Sequence, residues 1–170
     1  MSTPSRSCWP IFEGRRWLSA VFLVAALCTS WTGCRTGGGS DGPAIRFHLE
    51  ASSMDERTRH VVPVALPVSG TVIRINHFPV IVEEDVREVA LARVDLGLCV
   101  VFALEPRAAR ALYRISTEHR GQRLVLLVDG EPLGARVLET VIDTGELFIF
   151  LEVDDDELPA LVRSMRRARG

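Results

Sequence analysis

Apolar residues fall in two regimes along this chain: an uncharged run from Trp17 to Trp31, and then, from Ala44 onward, short apolar segments broken by glycine, proline and acidic residues. Ala44–Glu50 alternates apolar and polar side chains, which predicts a first strand with Ile45, Phe47 and Leu49 on one face. Ser52–Arg59 is polar and is expected to be a turn. Val61–Pro67 carries two prolines, which remove backbone donors and predict an edge strand or an extended segment, and Thr71–Ile75 is the better strand candidate. Glu83-Glu84-Asp85 ahead of Val86, Val89 and Ala90 predicts a short helix whose acidic residues complement its N-terminal end. Leu91–Asp95, a turn at Gly97 and a strand Leu98–Leu104 follow.

Pro106 suits a first helical position, where its missing N–H costs nothing. Ala111, Leu112 and Ile115 recur at three and four, and Gly121 is a candidate left-handed stop. Arg123–Val128 is an almost unbroken apolar strand, and Asp129-Gly130 after it predicts a tight hairpin to Leu133–Leu138. Past Asp143-Thr144-Gly145, Leu147–Leu151 reads as a central strand. Asp154–Glu157 then precedes Leu158, Leu161, Val162 and Met165 at helical spacing, with Arg163, Arg166, Arg167 and Arg169 toward the end, so the charges complement the helix dipole at both ends. The sum is an α+β domain, a mostly antiparallel sheet with two main helices packed on one face.

The N-terminal apolar run changes this picture from domain to address. Arg15 and Arg16 precede it, and its roughly 15 residues would cover only ~22 Å of a ~30 Å hydrocarbon core as a helix. That is the anatomy of an export signal. Trp31-Thr32-Gly33-Cys34 ends it and resembles the lipobox of bacterial lipoproteins, in which small residues precede a cysteine that receives a diacylglyceryl group; Trp31 stands where leucine is usual. Cys34 is therefore the expected lipidation site. A cleaved signal without lipid and an uncleaved anchor are the alternatives. The implied organisation is a signal peptide over 1–33, a Gly-rich tether over 34–43 and one domain over 44–170. Gly37-Gly38-Gly39 lacks the strand and Lys-Ser or Lys-Thr of a phosphate loop and reads as tether, with a reach of roughly 15–18 Å. Arg35, following Cys34, is not the aspartate that retains many lipoproteins in the inner membrane of enteric-type bacteria, which favours the outer membrane where those rules hold.

Charge narrows the partners. The segment ahead of Cys34 holds Arg6, Arg15 and Arg16 against Glu13, so a mature chain would sit near −4 where the whole chain is −2. No basic surface for nucleic acid is implied. All 20 cationic side chains are arginine, which we read as codon bias. Cys8 and Cys28 precede Cys34, leaving Cys99 alone in the apolar run Leu98–Phe102, where it is expected to pack as a small hydrophobe.

The order of elements after Phe78, together with Val82-Glu83-Glu84-Asp85-Val86, Thr117-Glu118-His119-Arg120-Gly121-Gln122-Arg123, Leu124–Gly130 and Ile142-Asp143-Thr144-Gly145, resembles the head subdomain of the first periplasmic domain of SecD and SecDF, accessory subunits of the protein-export translocase. The resemblance spans Phe78–Ala168, about half of the chain. It implies a noncatalytic envelope domain that contacts exported polypeptides or translocase components, with no cofactor. The chain departs from the family at Arg136, where members often have proline, and at Phe150, where a second glycine is common.

Other chemistry is weakly encoded. Ser116, His119 and Asp129 could supply a nucleophile, a base and an orienter, but nothing in their spacing fixes that geometry and no Gly-X-Ser-X-Gly elbow occurs. His48, His60 and His77 lack metal-site spacing and read as edge or solvent-facing residues. Glu83-Glu84 and Asp154–Glu157 read as helix-end acids, since the latter lacks the alternation and glycine of a calcium loop. The C-terminal arginines read as a solvated helix face. No catalytic, metal or cofactor residue is expected, and the chain is not expected to be an enzyme. The leading expectation is a lipid-anchored envelope protein, a SecD-head-like binding or accessory module linked to export. The alternative is an adaptor lipoprotein that reuses the fold without a role in translocation.

Overall fold

The computed structural model describes residues 43–52 and 60–167. Residues 1–42, with the expected signal, Cys34 and all but the last residue of the expected tether, and most of the expected Ser52–Arg59 turn lie outside the described residues. Strand β1 (Ile45–Leu49) opens the fold, its start fixed by two reciprocal hydrogen bonds: Ala44 N–H to Asp129 Oδ1 and Asp129 N–H to the Ala44 carbonyl, both 2.9 Å. The predicted alternation holds, with Ile45 and Phe47 fully buried. Strands β2 (Val61–Ala65) and β3 (Val72–Asn76) form a hairpin. Hydrogen bonds join His60 to His77 and Leu66 to Thr71, so by alternation the backbone of Pro63 faces outward, where no ladder bond is lost.

The acidic cluster does not start a helix. Strand β4 (Ile81–Val82) and a single 3₁₀ turn (Glu83–Asp85) lead directly into β5 (Val86–Val94), which pairs antiparallel with β6 (Gly97–Leu104). The register slips between Val86 and Glu88, and this bulge brings residues three apart, Val86 and Val89, onto one buried face. A helical spacing was thus produced by an irregular strand. Helix α1 (Pro106–Glu118) has Pro106 at its start and buries Ala108, Leu112 and Ile115. It ends at His119, and Gly121 takes a φ of 83° two residues beyond.

Strand β7 (Arg123–Val128) turns through Asp129 (φ 54°) and Gly130 (φ 89°) into β8 (Glu131–Val137), as the Asp-Gly pair predicts. Strand β9 (Glu146–Ile149) and helix α2 (Leu158–Arg167) complete the domain. The strands divide into three sheets, ordered β4-β1-β7-β8, β2-β3 and β5-β6-β9. Strand β9 is therefore an edge and not a central strand.

The unbroken apolar run of β7 follows from burial on both sides. Leu124, Leu126 and Val128 enter the larger core with Ile45, Phe47, Phe102, Leu147 and both helix stripes, while Val125 and Leu127 pack under the β2–β3 hairpin with Leu66, Ile73 and Ile75. Phe47 meets Phe102 edge to face at 5.0 Å, joining two of the sheets through the core with ~0.5–1.5 kcal/mol beyond simple burial.

Glu152 holds down the hairpin tip. Its carboxylate accepts the N–H groups of Val68 (3.0 Å) and Ser69 (2.8 Å) and the Ser69 hydroxyl (2.8 Å). Partial burial pushes this carboxyl's pKa up, but the Ser69 and Val68 donors outweigh it and leave it below the ordinary range. With the folded value below the unfolded one, the latch stabilises above the unfolded pKa and is lost as pH falls through the folded pKa. Glu152→Gln is expected to lower stability at neutral pH and to flatten the acid limb of the stability curve. Urea unfolding at a series of pH values from about 3 to 7 checks both.

Candidate functional site

Ser116, His119 and Asp129 do not come together. Ser116 is fully buried; its hydroxyl donates to the Tyr113 carbonyl (3.0 Å) and accepts the N–H of Ile142 (3.0 Å), tying α1 to the loop ahead of β9. Asp129 sits at the far end of β7, some six residues or ~20 Å of strand from the helix end that carries His119. Ser116→Ala is expected to cost about 1–3 kcal/mol by leaving the buried Ile142 N–H without an acceptor, measured as a shift in urea midpoint.

The three N-terminal histidines gather near one end of the β2–β3 hairpin without forming a ligand set. Phe78 stands between His60 and His77, with ring centroids 5.3 and 5.6 Å away. His48 is buried and its Nδ1 is 2.8 Å from the Asn76 carbonyl; burial lowers its pKa and outweighs that hydrogen bond. Among the described residues no group of three or more histidine, cysteine or carboxylate side chains is placed to hold a metal. Of the C-terminal arginines, Arg166 Nε donates to the Val89 carbonyl on the edge of β5, and Arg167 Nε donates to the Arg163 carbonyl (3.4 Å). Asp154 caps the turn before α2 through its carbonyl, which accepts Glu157 and Leu158 N–H.

The site that stands out lies between β8 and β9. These are the facing edges of two different sheets, and they run antiparallel. At one end they meet: Glu152 N–H donates to the Leu133 carbonyl (2.7 Å), and Gly134 lies so close to β9 that a Cβ there would fall 2.4 Å from the Phe150 carbonyl oxygen. At the other end they part, leaving a groove of about 520 Å³. Its walls include Val94, Leu96, Val137, Phe148 and Phe150, with Cys99 and Ile149 buried beneath. Leu96, at the tip of the β5–β6 hairpin, is 85% exposed.

One polar side chain crosses the gap. Arg136 Nη1 donates to the Phe148 carbonyl at 2.8 Å. Burial lowers the Arg136 pKa, and Glu139 on the rim opposes that shift. Burial pushes the Cys99 thiol up while Arg136 pulls it down, so Cys99 is a packed thiol, as its sequence context suggests. Arg136 and Phe150, the two departures from the SecD pattern, both line this groove. Sequence reasoning missed Val94, Leu96 and Phe148. The available signals were an apolar residue in a two-residue turn and two aromatics on alternate positions of a strand whose other face is already buried.

No protein-family model matches the sequence, and no curated protein is similar to it. Solved structures are similar. A crystal structure of SecDF in its super-membrane-facing form aligns over 74% of this chain at a TM-score of 0.55 and 14% identity. A second structure, described as a membrane component SecDF that enhances protein export, aligns over 75% at 0.56 and 13%. The fold is SecD-like. The matched share exceeds the half of the chain from Phe78 to Ala168, so the likeness takes in residues ahead of Phe78. This chain spans 19% and 64% of those two SecDF chains, less than two thirds of either. Among the described residues no helix is long and apolar enough to cross a membrane.

Proposed function

We propose that this chain is a noncatalytic, lipid-anchored module of the bacterial cell envelope, facing the periplasm, that binds polypeptide in the β8–β9 groove in support of protein export. The observation that carries the reading is an apolar groove between two open strand edges on a SecD-like fold. Open edges and apolar walls suit an unfolded chain, which offers both backbone and apolar side chains. The sequence from Arg15 to Cys34 supports export and acylation. Chemical crosslinking in intact cells tests the link to translocation: recovery of translocase components or exported polypeptides is expected. Recovery of neither removes the link to export and leaves the envelope location to be judged separately.

A second reading is favoured by the outer face of the β2–β3 hairpin, where Pro63, Ala65 and Val72 lie on one surface and Val72 is 63% exposed. Here the domain is an adaptor for other envelope proteins through its N-terminal third. Deleting Ala44–Pro79 cannot separate the readings, because β1 lies inside the four-stranded sheet and carries the buried Ile45 and Phe47. Val72→Asp can: loss of all captured partners with the groove intact favours the adaptor.

A further inference from the structure

The β2–β3 hairpin is a two-stranded sheet of its own, laid over the face of β7 that points away from the larger core. Two five-residue strands paired only with each other are marginal in water, so this pair persists by the apolar surface it covers. Leu66, Ile73 and Ile75 supply one half of that small core, and Val125 and Leu127 the other. At its open end the hairpin is hinged to the end of β1 by backbone: Ala51 N–H donates to the Arg74 carbonyl (2.8 Å), and Glu50 bridges to Ile75. The tip has no such link. Among the described residues, the hydrogen bonds that leave the turn over residues 66–71 all end on the Glu152 carboxylate.

We infer that the hairpin is an acid-released strap: protonation of Glu152 frees the tip, the pair pivots on the hinge at Glu50 and Ala51, and Val125 and Leu127 are uncovered on β7. The device is separate from the β8–β9 groove and does not depend on what the groove binds. As a carboxylate, Glu152 accepts three donors; as an acid it is a poorer acceptor and brings a proton of its own into the cluster. His48 adds to the response from the hinge end. It is buried, and its Nδ1 faces the Asn76 carbonyl, so the neutral ring donates there; a second proton would put a cation beneath the hairpin. The titratable and charged groups on that side are Arg46 and Glu50 of β1, Arg123 of β7, paired with Glu50 at 3.6 Å, and His60 and His77 at the open end of the hairpin. The same face of β4 and β8 presents Val82, Ala135 and Val137. Burial, with Arg46 and His77 behind it, lowers the His48 pKa against the pull of the Asn76 carbonyl; for Glu152, burial pulls upward and the Ser69 and Val68 donors outweigh it. Each folded value thus lies below its unfolded one. The hold is complete above the unfolded pKa and is lost as pH falls through the folded one, the loss setting in below about pH 6.5 for His48 and about 4.3 for Glu152.

Amide exchange of the full chain, corrected for intrinsic rates and followed from about pH 7 to 4, tests the strap. By the registers, the Ile73 and Ile75 amides donate within the hairpin, and those of Cys99 and Val101 within β5–β6. Protection at Ile73 and Ile75 is expected to fall at least tenfold further than at Cys99 and Val101. Glu152→Gln is expected to bring on the same selective loss already at pH 7, by roughly three- to tenfold. His48→Gln, which keeps a donor for the Asn76 carbonyl without a titrating ring, is expected to remove the part of the fall between about pH 7 and 5 and to leave the rest. A parallel fall at all four amides means that acid unfolds the domain as one unit, and hairpin protection that holds to pH 4 means that the strap stays shut; either overturns the inference. Unchanged protection in a folded Glu152→Gln removes Glu152 as the latch and overturns it too. If that variant does not fold, the wild-type series decides alone.

Discussion

Gly134→Val is expected to destabilise the domain by about 3 kcal/mol, at the upper end of what overpacking costs. A Cβ at residue 134 would lie 2.4 Å from the Phe150 carbonyl oxygen, 3.1 Å from Leu151 Cδ2 and 3.3 Å from Leu151 Cα. Two of these three atoms are backbone, so no rotamer change removes the clash, and β8 and β9 must separate where they are most tightly joined. Gly130→Ala is the control. Gly130 has a φ of 89° and an added methyl there would meet nothing within 4 Å, so it should cost only the ~1 kcal/mol of an unfavourable backbone conformation. Urea unfolding of both variants separates steric closure of the seam from the generic loss of a glycine. Equal costs would show that the Gly134 contact does not hold the seam shut.

Cys34→Ala is expected to abolish membrane retention. Stable anchoring takes two acyl chains, with ~0.8 kcal/mol gained per buried methylene, and a diacylglyceryl group on one sulfur supplies both. The described residues offer no membrane-spanning helix in its place. Intact-mass measurement beside membrane fractionation distinguishes the alternatives. An acylated wild type and an unacylated, released variant are predicted. An unmodified, released wild type means an ordinary cleaved signal. A variant that stays membrane-bound with residues 1–33 attached means an uncleaved anchor.

The parts of the fold that sequence reveals are those where a local signal and its tertiary use coincide. Pro106 starts α1, Asp129-Gly130 turns the hairpin, and β7 is apolar throughout because a core lies on each of its faces. Two readings failed for related physical reasons. Val86 and Val89 mimic a helix because a bulge shifts the alternation of β5, and no single-chain pattern distinguishes that from a 3.6 period. Leu147–Leu151 reads as a central strand because Phe148 and Phe150 are apolar, yet those two side chains face the groove from an edge. The second misreading falls on the candidate site itself: apolar residues that no core requires are where pattern rules and function diverge. Arg136 was visible as an oddity, but its role as a strut across the seam needs the edges β8 and β9 of two different sheets to lie side by side, which no local pattern encodes.

The most direct measurement places a photoreactive phenylalanine analogue at Phe150 in intact cells and follows pulse-labelled exported proteins. Polypeptide binding in the groove predicts adducts with newly made polypeptides that form during the pulse and decline on the chase, with no such adducts from the same analogue at Tyr113, an exposed position on α1 outside the groove lining. Adducts of equal yield at both positions, or none from Phe150 while exported chains are plentiful, would contradict it.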